Sequence, residues 1–207
     1  MTYLLFGYFL ALCLPLFIRS WRAALTGLRL QALAMAAMIW LHGEHLAPSP
    51  LIALADMVVF RALFAPWYLK KMAAERGVHA AFDLIPANLF VWTIAAILIM
   101  TSFGFSATLA GEYSRSITHL GVACCGVLLA LLILATQRAP LGQAIAALTL
   151  ENGIALFELH AHHHVEWVAQ LGLALVYILS VLTMALLVRR LGMVDDAPEQ
   201  PADTAIL

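Results

Sequence analysis

Apolar runs of roughly 17 to 25 residues, the length an α-helix needs to cross a hydrocarbon core of about 30 Å, recur along this chain. MTYLLFGYFLALCLPLF at the start and LGLALVYILSVLTMALLV near the end are two of them. No period-2 alternation accompanies these runs, which argues against a β-barrel and for an all-α fold. Of the 207 residues, 64% are hydrophobic and 11% charged. With a mean hydropathy of +0.94, the composition is that of a polytopic membrane protein.

Seven spans are expected, over about 3–18, 24–42, 51–69, 84–104, 118–136, 141–160 and 167–188. The basic residues orient them. No cation precedes the first run, whereas Arg19 and Arg22 follow it, the pattern of a retained first helix with its N-terminus outside. Arg19, Arg22, Lys70, Lys71, Arg76, Arg138, Arg189 and Arg190 then face the cytoplasm, against Arg115 alone outside. Arg29 is close enough to the cytoplasmic face to snorkel, which leaves Arg61 as the deep cation. Residues 1–190 thus read as one transmembrane domain. The Pro-rich, acidic stretch 191–207 reads as a disordered cytoplasmic tail or a segment docked on a partner.

Ionisable groups at bilayer depth are costly, so they mark candidate functional positions. Glu151 lies about ten residues into span six from the cytoplasmic side, about 15 Å and hence mid-depth. Arg61 lies about as far into span three from the other side, so a contact or water-linked pair between them is expected if their helices are neighbours. Glu158 shares the face of Glu151 two turns on, and His162 continues it, a stepped route from the midplane outward. The alternative is a structural arrangement in which Glu151 is held by an interhelical hydrogen bond and Glu158 sits among headgroups. Asp56 either feeds Arg61 or reaches interfacial water. Five residues turn an α-helix by about 140°, so the two are not expected on one face. Pro66, one turn past Arg61, should free the Ala62 carbonyl and kink the span.

Histidines gather on the outer side: His42, His45, His119, His160, His162, His163 and His164, against His79 inside. His160 and His164 stand at the i,i+4 spacing of two imidazoles on one metal ion, but a third and fourth ligand are not evident; a proton-buffering collar or a solvated loop are the other readings. Cys13, Cys124 and Cys125 lie in apolar spans and suggest neither disulfide nor metal site. No nucleotide or cofactor fingerprint and no nucleic-acid-binding pattern is present, so no cofactor is expected.

TQRAPLGQAIAALTLENGIALFEL, residues 136–159, resembles the hydrogenase-4 component E family, membrane subunits of group 4 [NiFe]-hydrogenase and formate hydrogenlyase-type complexes. The residues carrying the resemblance are Gln137, Arg138, Gln143, Glu151, Asn152 and Gly153. VVFRALFAPWYLKK, with Arg61 five before Pro66, and the last span closing on Arg189 and Arg190 look like the family's third and final spans. The resemblance implies that residues 117–190 are similar to the three-helix K subunit of bacterial complex I. It implies a cofactor-free, non-catalytic subunit of the bacterial inner membrane, with Glu151 in a proton path shared by Gln143, Asn152 and Arg61. Its implied partners are antiporter-like and H-subunit-like membrane subunits, peripheral hydrogenase-like and iron–sulfur subunits, and lipids. A cation/proton antiporter component and a purely structural assembly subunit are the other readings. Where the family carries acids in its last helix, this chain has Gln170 and Val176.

Overall fold

The computed structural model describes residues 2–18, 20–41, 48–75, 89–110, 114–161 and 167–195. Within these the chain is all-helical, with no strand. The helices are α1 (Thr2–Phe17), α2 (Trp21–Leu41), α3 (Pro48–Glu75), α4 (Leu89–Ala110), α5 (Ser114–Thr136), α6 (Pro140–Ala161) and α7 (Trp167–Asp195). Five of them, α2, α3, α4, the Ile117–Thr136 part of α5 and the Trp167–Arg190 part of α7, are long and apolar enough to cross a membrane. By length and composition this is a multi-pass membrane protein. The apolar stretch of α1, Thr2–Pro15, is shorter. α6 interrupts its apolar residues with Gln143, Thr149, Glu151, Asn152 and Glu158.

Local chemistry sets the helix ends. Ser20 caps α2, its hydroxyl accepting from the Arg22 N–H at 3.3 Å. Pro140 opens α6, where a missing N–H costs nothing. α3 runs past the expected end of its span, through Lys70 and Lys71 to Glu75, and α7 continues past Arg190 to Asp195. α4 spans 89–110 rather than 84–104, its first expected residues lying outside the described ones.

α2 and α6 pack against each other at the centre, α1 and α3 flank α2, and α5 lies along α6. α4 leans on α5, and α7 closes the bundle against α3 and α6. α5 and α6 meet at two glycines: a Cβ on Gly153 would stand 3.0 Å from the Val127 amide nitrogen, and one on Gly126 3.3 Å from the Gly153 Cα. Small residues that let backbones approach are the usual basis of helix packing where lipid removes the hydrophobic drive.

The buried apolar residues form two clusters stacked along the bundle. One gathers Leu12, Leu25, Leu28, Leu69, Leu148 and Val181 among others; the second holds Leu5, Met35, Met57, Val122 and Leu156. Along α2 the first cluster ends at Leu28 and the second resumes at Met35; along α3 the break falls between Met57 and Ala65; along α6, between Leu148 and Ala155. The gaps lie at one height, and the polar residues fill them.

Candidate functional site: a polar layer between two apolar cores

Gln31, Asp56, Arg61 and Asn152 are buried at this height, from α2, α3 and α6. Arg61 donates from Nε to Asp56 Oδ2 at 2.9 Å, and from Nη1 to the Asn152 side-chain oxygen at 3.2 Å. The Asn152 amide nitrogen in turn donates to Gln31 Oε1 at 3.2 Å. Tyr177 of α7 covers the guanidinium, its ring centroid 4.1 Å from Cζ, a contact worth about 2 kcal/mol when desolvated. Four helices are tied to one cation.

Asp56 and Arg61 share a face after all, and the winding of α3 is the reason. Residues Asp56–Phe64 form a π-helix, and the Ala65 N–H bonds the Phe60 carbonyl five residues back. In that winding residues five apart lie one above the other, whereas α-helical winding would set them about 140° apart. Pro66 accounts for the position of the change. Its ring would clash with the carbonyl four residues back and has no N–H to offer. The wider turn just before Pro66 relieves that clash inside a helix that continues unbroken from Pro48 to Glu75. The interfacial solvation considered for Asp56 is ruled out by its burial, with 5% of its surface exposed.

Glu151 and Arg61 do stand at one height on helices of the same bundle, yet they are not bonded to each other. Glu151 is half-buried, hydrogen-bonded to the Ser180 hydroxyl of α7, and within electrostatic reach of both Arg61 and Asp56. The guanidinium is instead taken by Asp56 of its own helix and by Asn152, one residue on from Glu151. The reason is rotational: consecutive helical residues point about 100° apart. Glu151 therefore turns toward α7, Asn152 toward α2 and α3, and Gly153 toward α5.

Three oxygens around this layer are buried without a hydrogen-bond partner: Glu151 Oε2, Asp56 Oδ1 and the Tyr8 hydroxyl of α1. Tyr8 is fully enclosed, with its oxygen 3.6 Å from where a Gly126 Cβ would be. Buried polar groups are nearly always paired, with water where protein does not reach. The arrangement is a compensated ion pair beside a carboxylate that has one hydroxyl partner and one open oxygen.

The other expected site residues fall elsewhere or outside the described residues. Gln143 lies toward the α5–α6 junction, its Nε2 donating to the Gln137 backbone carbonyl at 3.2 Å, so it ties the turn rather than entering the polar layer. The Gln137 side chain closes over Gly142, whose added Cβ would meet Gln137 Oε1 at 2.8 Å. Glu158 is half-buried two turns beyond Glu151. His162 and His164 lie outside the described residues, as does the side chain of His160. No group of three or more metal-ligating side chains occurs among the described residues. Gln31, Tyr8, Tyr177 and Ser180 complete the layer without having been singled out in the sequence. The depth count that finds Arg61 also finds Gln31, an amide about ten residues into α2, once neutral polar groups are counted with the ionisable ones.

The fold and site together define a class: a helical membrane bundle with a charged, hydrogen-bonded layer at mid-height. Compared with protein-family models, curated proteins and solved structures, the chain matches none of them.

Proposed function

We propose that this chain is a cofactor-free membrane-arm subunit of a hydrogenase-like or complex I-like redox complex, in which Glu151 is the proton-binding station. The observation that carries the reading is the division of labour in the polar layer. Asp56 already neutralises Arg61, so Glu151 has no cation of its own and keeps one oxygen, Oε2, buried and open. A carboxylate with one open oxygen beside a buried guanidinium at this depth is a group that can bind and release a proton. A change of charge or position in an adjoining subunit then loads and unloads it, with the energy supplied by redox chemistry elsewhere.

In this reading all seven helices cross the bacterial inner membrane, with the N-terminus outside and the C-terminus in the cytoplasm. Arg22, Lys70, Lys71, Arg138, Arg189 and Arg190 are all exposed, and the alternating course of the helices gathers them at one end. That is the end the positive-inside rule assigns to the cytoplasm. Partners would be antiporter-like and H-subunit-like membrane subunits with peripheral iron–sulfur subunits. Glu158 and the outer histidines would continue the path outward.

Glu151→Gln tests the assignment. The variant keeps the side-chain size and should leave assembly intact while proton-coupled activity of the purified complex falls at least tenfold. Unchanged pumping in an assembled variant complex would remove Glu151 from the path. It would favour the second reading, a structural assembly subunit, which draws support from the self-compensated Asp56–Arg61 pair and from the neutral Gln170 and Val176 of α7.

A further inference from the structure

Thr93, Thr101, Ser102, Ser106 and Thr149 each donate their hydroxyl to the carbonyl four residues back, at 2.6–2.9 Å. That is the usual arrangement for a hydroxyl on an apolar helix. Ser180 of α7 directs its hydroxyl at the Glu151 carboxyl of α6. A hydroxyl carries one proton, so donating it to Glu151 forgoes the backbone bond. The contact sits at the margin of the seam between α6 and α7. Ala174, Tyr177, Val181, Ala185 and Val188 form the buried stripe of α7, and Ser180 lies beside it, half-buried. Glu151 is half-buried too, next to the fully buried Asn152. One turn before Ser180, Tyr177 lays its ring over the Arg61 guanidinium, 4.1 Å from Cζ to the centroid. One helix therefore meets the cation in the interior and the carboxyl at the edge.

Two placements of the Glu151 carboxyl compete. Turned inward, it would meet Arg61, which stands at the same height and within electrostatic reach. Asp56 and Asn152 take one N–H each from a guanidinium that has five, so a further acceptor would still find a donor. Opposite charges attract strongly away from water. Turned outward, the carboxyl meets Ser180, and that is the placement observed. A hydroxyl donates to a carboxylate and accepts from a carboxylic acid, so this bond persists through gain and loss of a proton.

We infer that Ser180 is a positioning residue that keeps Glu151 out of a direct ion pair with Arg61, so that its carboxyl stays available for proton exchange. The inference rests on the reading of Glu151 as the proton-binding station and adds what holds it ready. Asp56 satisfies the cation from within α3, Ser180 holds the second acid apart from it, and α7 carries the group that does so. Without the hydroxyl, Glu151 would turn to the guanidinium and the layer would close into one three-membered ion cluster.

The test joins a spectroscopic signature to activity. Infrared difference spectra between acid and alkaline pH, on the full chain in lipid nanodiscs, follow the carboxylic acid C=O stretch of Glu151, identified by its loss in Glu151→Gln. The frequency of that band reports the hydrogen bond the acid makes. Ser180→Ala is expected to displace or abolish it, and Ser180→Thr, which keeps the hydroxyl, to leave it in place. In the purified complex Ser180→Ala should assemble and lower proton-coupled activity at least tenfold, and Ser180→Thr should recover most of it. Ser180→Cys, close to serine in size but a weak donor, should behave as Ser180→Ala, which keeps the comparison intact if the threonine methyl does not fit. An unmoved band or wild-type activity in Ser180→Ala, or recovery by Ser180→Cys, would overturn the positioning role while Glu151→Gln stays inactive. Absence of a Glu151 band from the wild-type chain, together with full activity of Glu151→Gln, would overturn the proton-station reading itself.

Discussion

At the residue scale, Glu151, Asn152 and Gly153 form one three-residue unit with three separate tasks, each assigned by the rotation of the helix. Asn152 is the most connected of the three, accepting from Arg61 and donating to Gln31. Asn152→Leu preserves the side-chain volume approximately and removes both bonds, leaving a buried guanidinium N–H and a buried amide oxygen unmatched. Buried polar groups without partners cost about 1–3 kcal/mol. The variant should lose about that much stability in reversible SDS unfolding from mixed micelles, whereas Glu151→Gln, with its partner Ser180 still able to bond an amide, should lose less than about 1 kcal/mol. Equal losses would mean that Glu151 is as integral to the packing as Asn152, and would weaken its assignment as a titrating group.

At the element scale, α3 shows how far the sequence reveals this molecule. The apolar runs make the helices legible, because no other secondary structure satisfies every backbone group within one segment in a bilayer. Counting residues from each end also put Arg61 and Glu151 at one height, where the break between the two apolar clusters lies. Missing was the winding. Sequence reasoning assigns 100° to each residue, and a local π-helix overrides it for reasons that involve Pro66 and the gain from pairing Asp56 with Arg61. Rotational errors then propagate: Arg61 is expected to turn to Glu151 and finds Asp56 instead. Ion pair and winding depend on each other. Asp56→Ala leaves the guanidinium buried and unpaired and should cost about 3–5 kcal/mol, whereas Asp56→Ala with Arg61→Met, which replaces the pair by apolar groups, should recover most of it. An additive double variant in the same unfolding assay would show that the two side chains are not energetically coupled.

At the scale of the whole molecule, the polar layer is placed where a membrane protein can least easily hold it, and the packing shows how it is held. Apolar clusters flank it above and below, and α5 packs closely on α6 at Gly126 and Gly153. A route for protons between compartments requires the two ends of α6 to lie on opposite sides of the bilayer with this layer between. Single cysteines test that directly in a background where Cys13, Cys124 and Cys125 are replaced by alanine. Arg138, exposed just before α6, and Trp167, exposed at the start of α7, bracket the helix. Trp167→Cys should react with a membrane-impermeant maleimide in intact spheroplasts, and Arg138→Cys only after permeabilisation, with at least a fivefold difference in each direction. The reversed pattern would invert the orientation deduced from the basic residues. Labelling of both from one side would mean that α6 does not cross, and Glu151 would then have no membrane on one side of it to move a proton through.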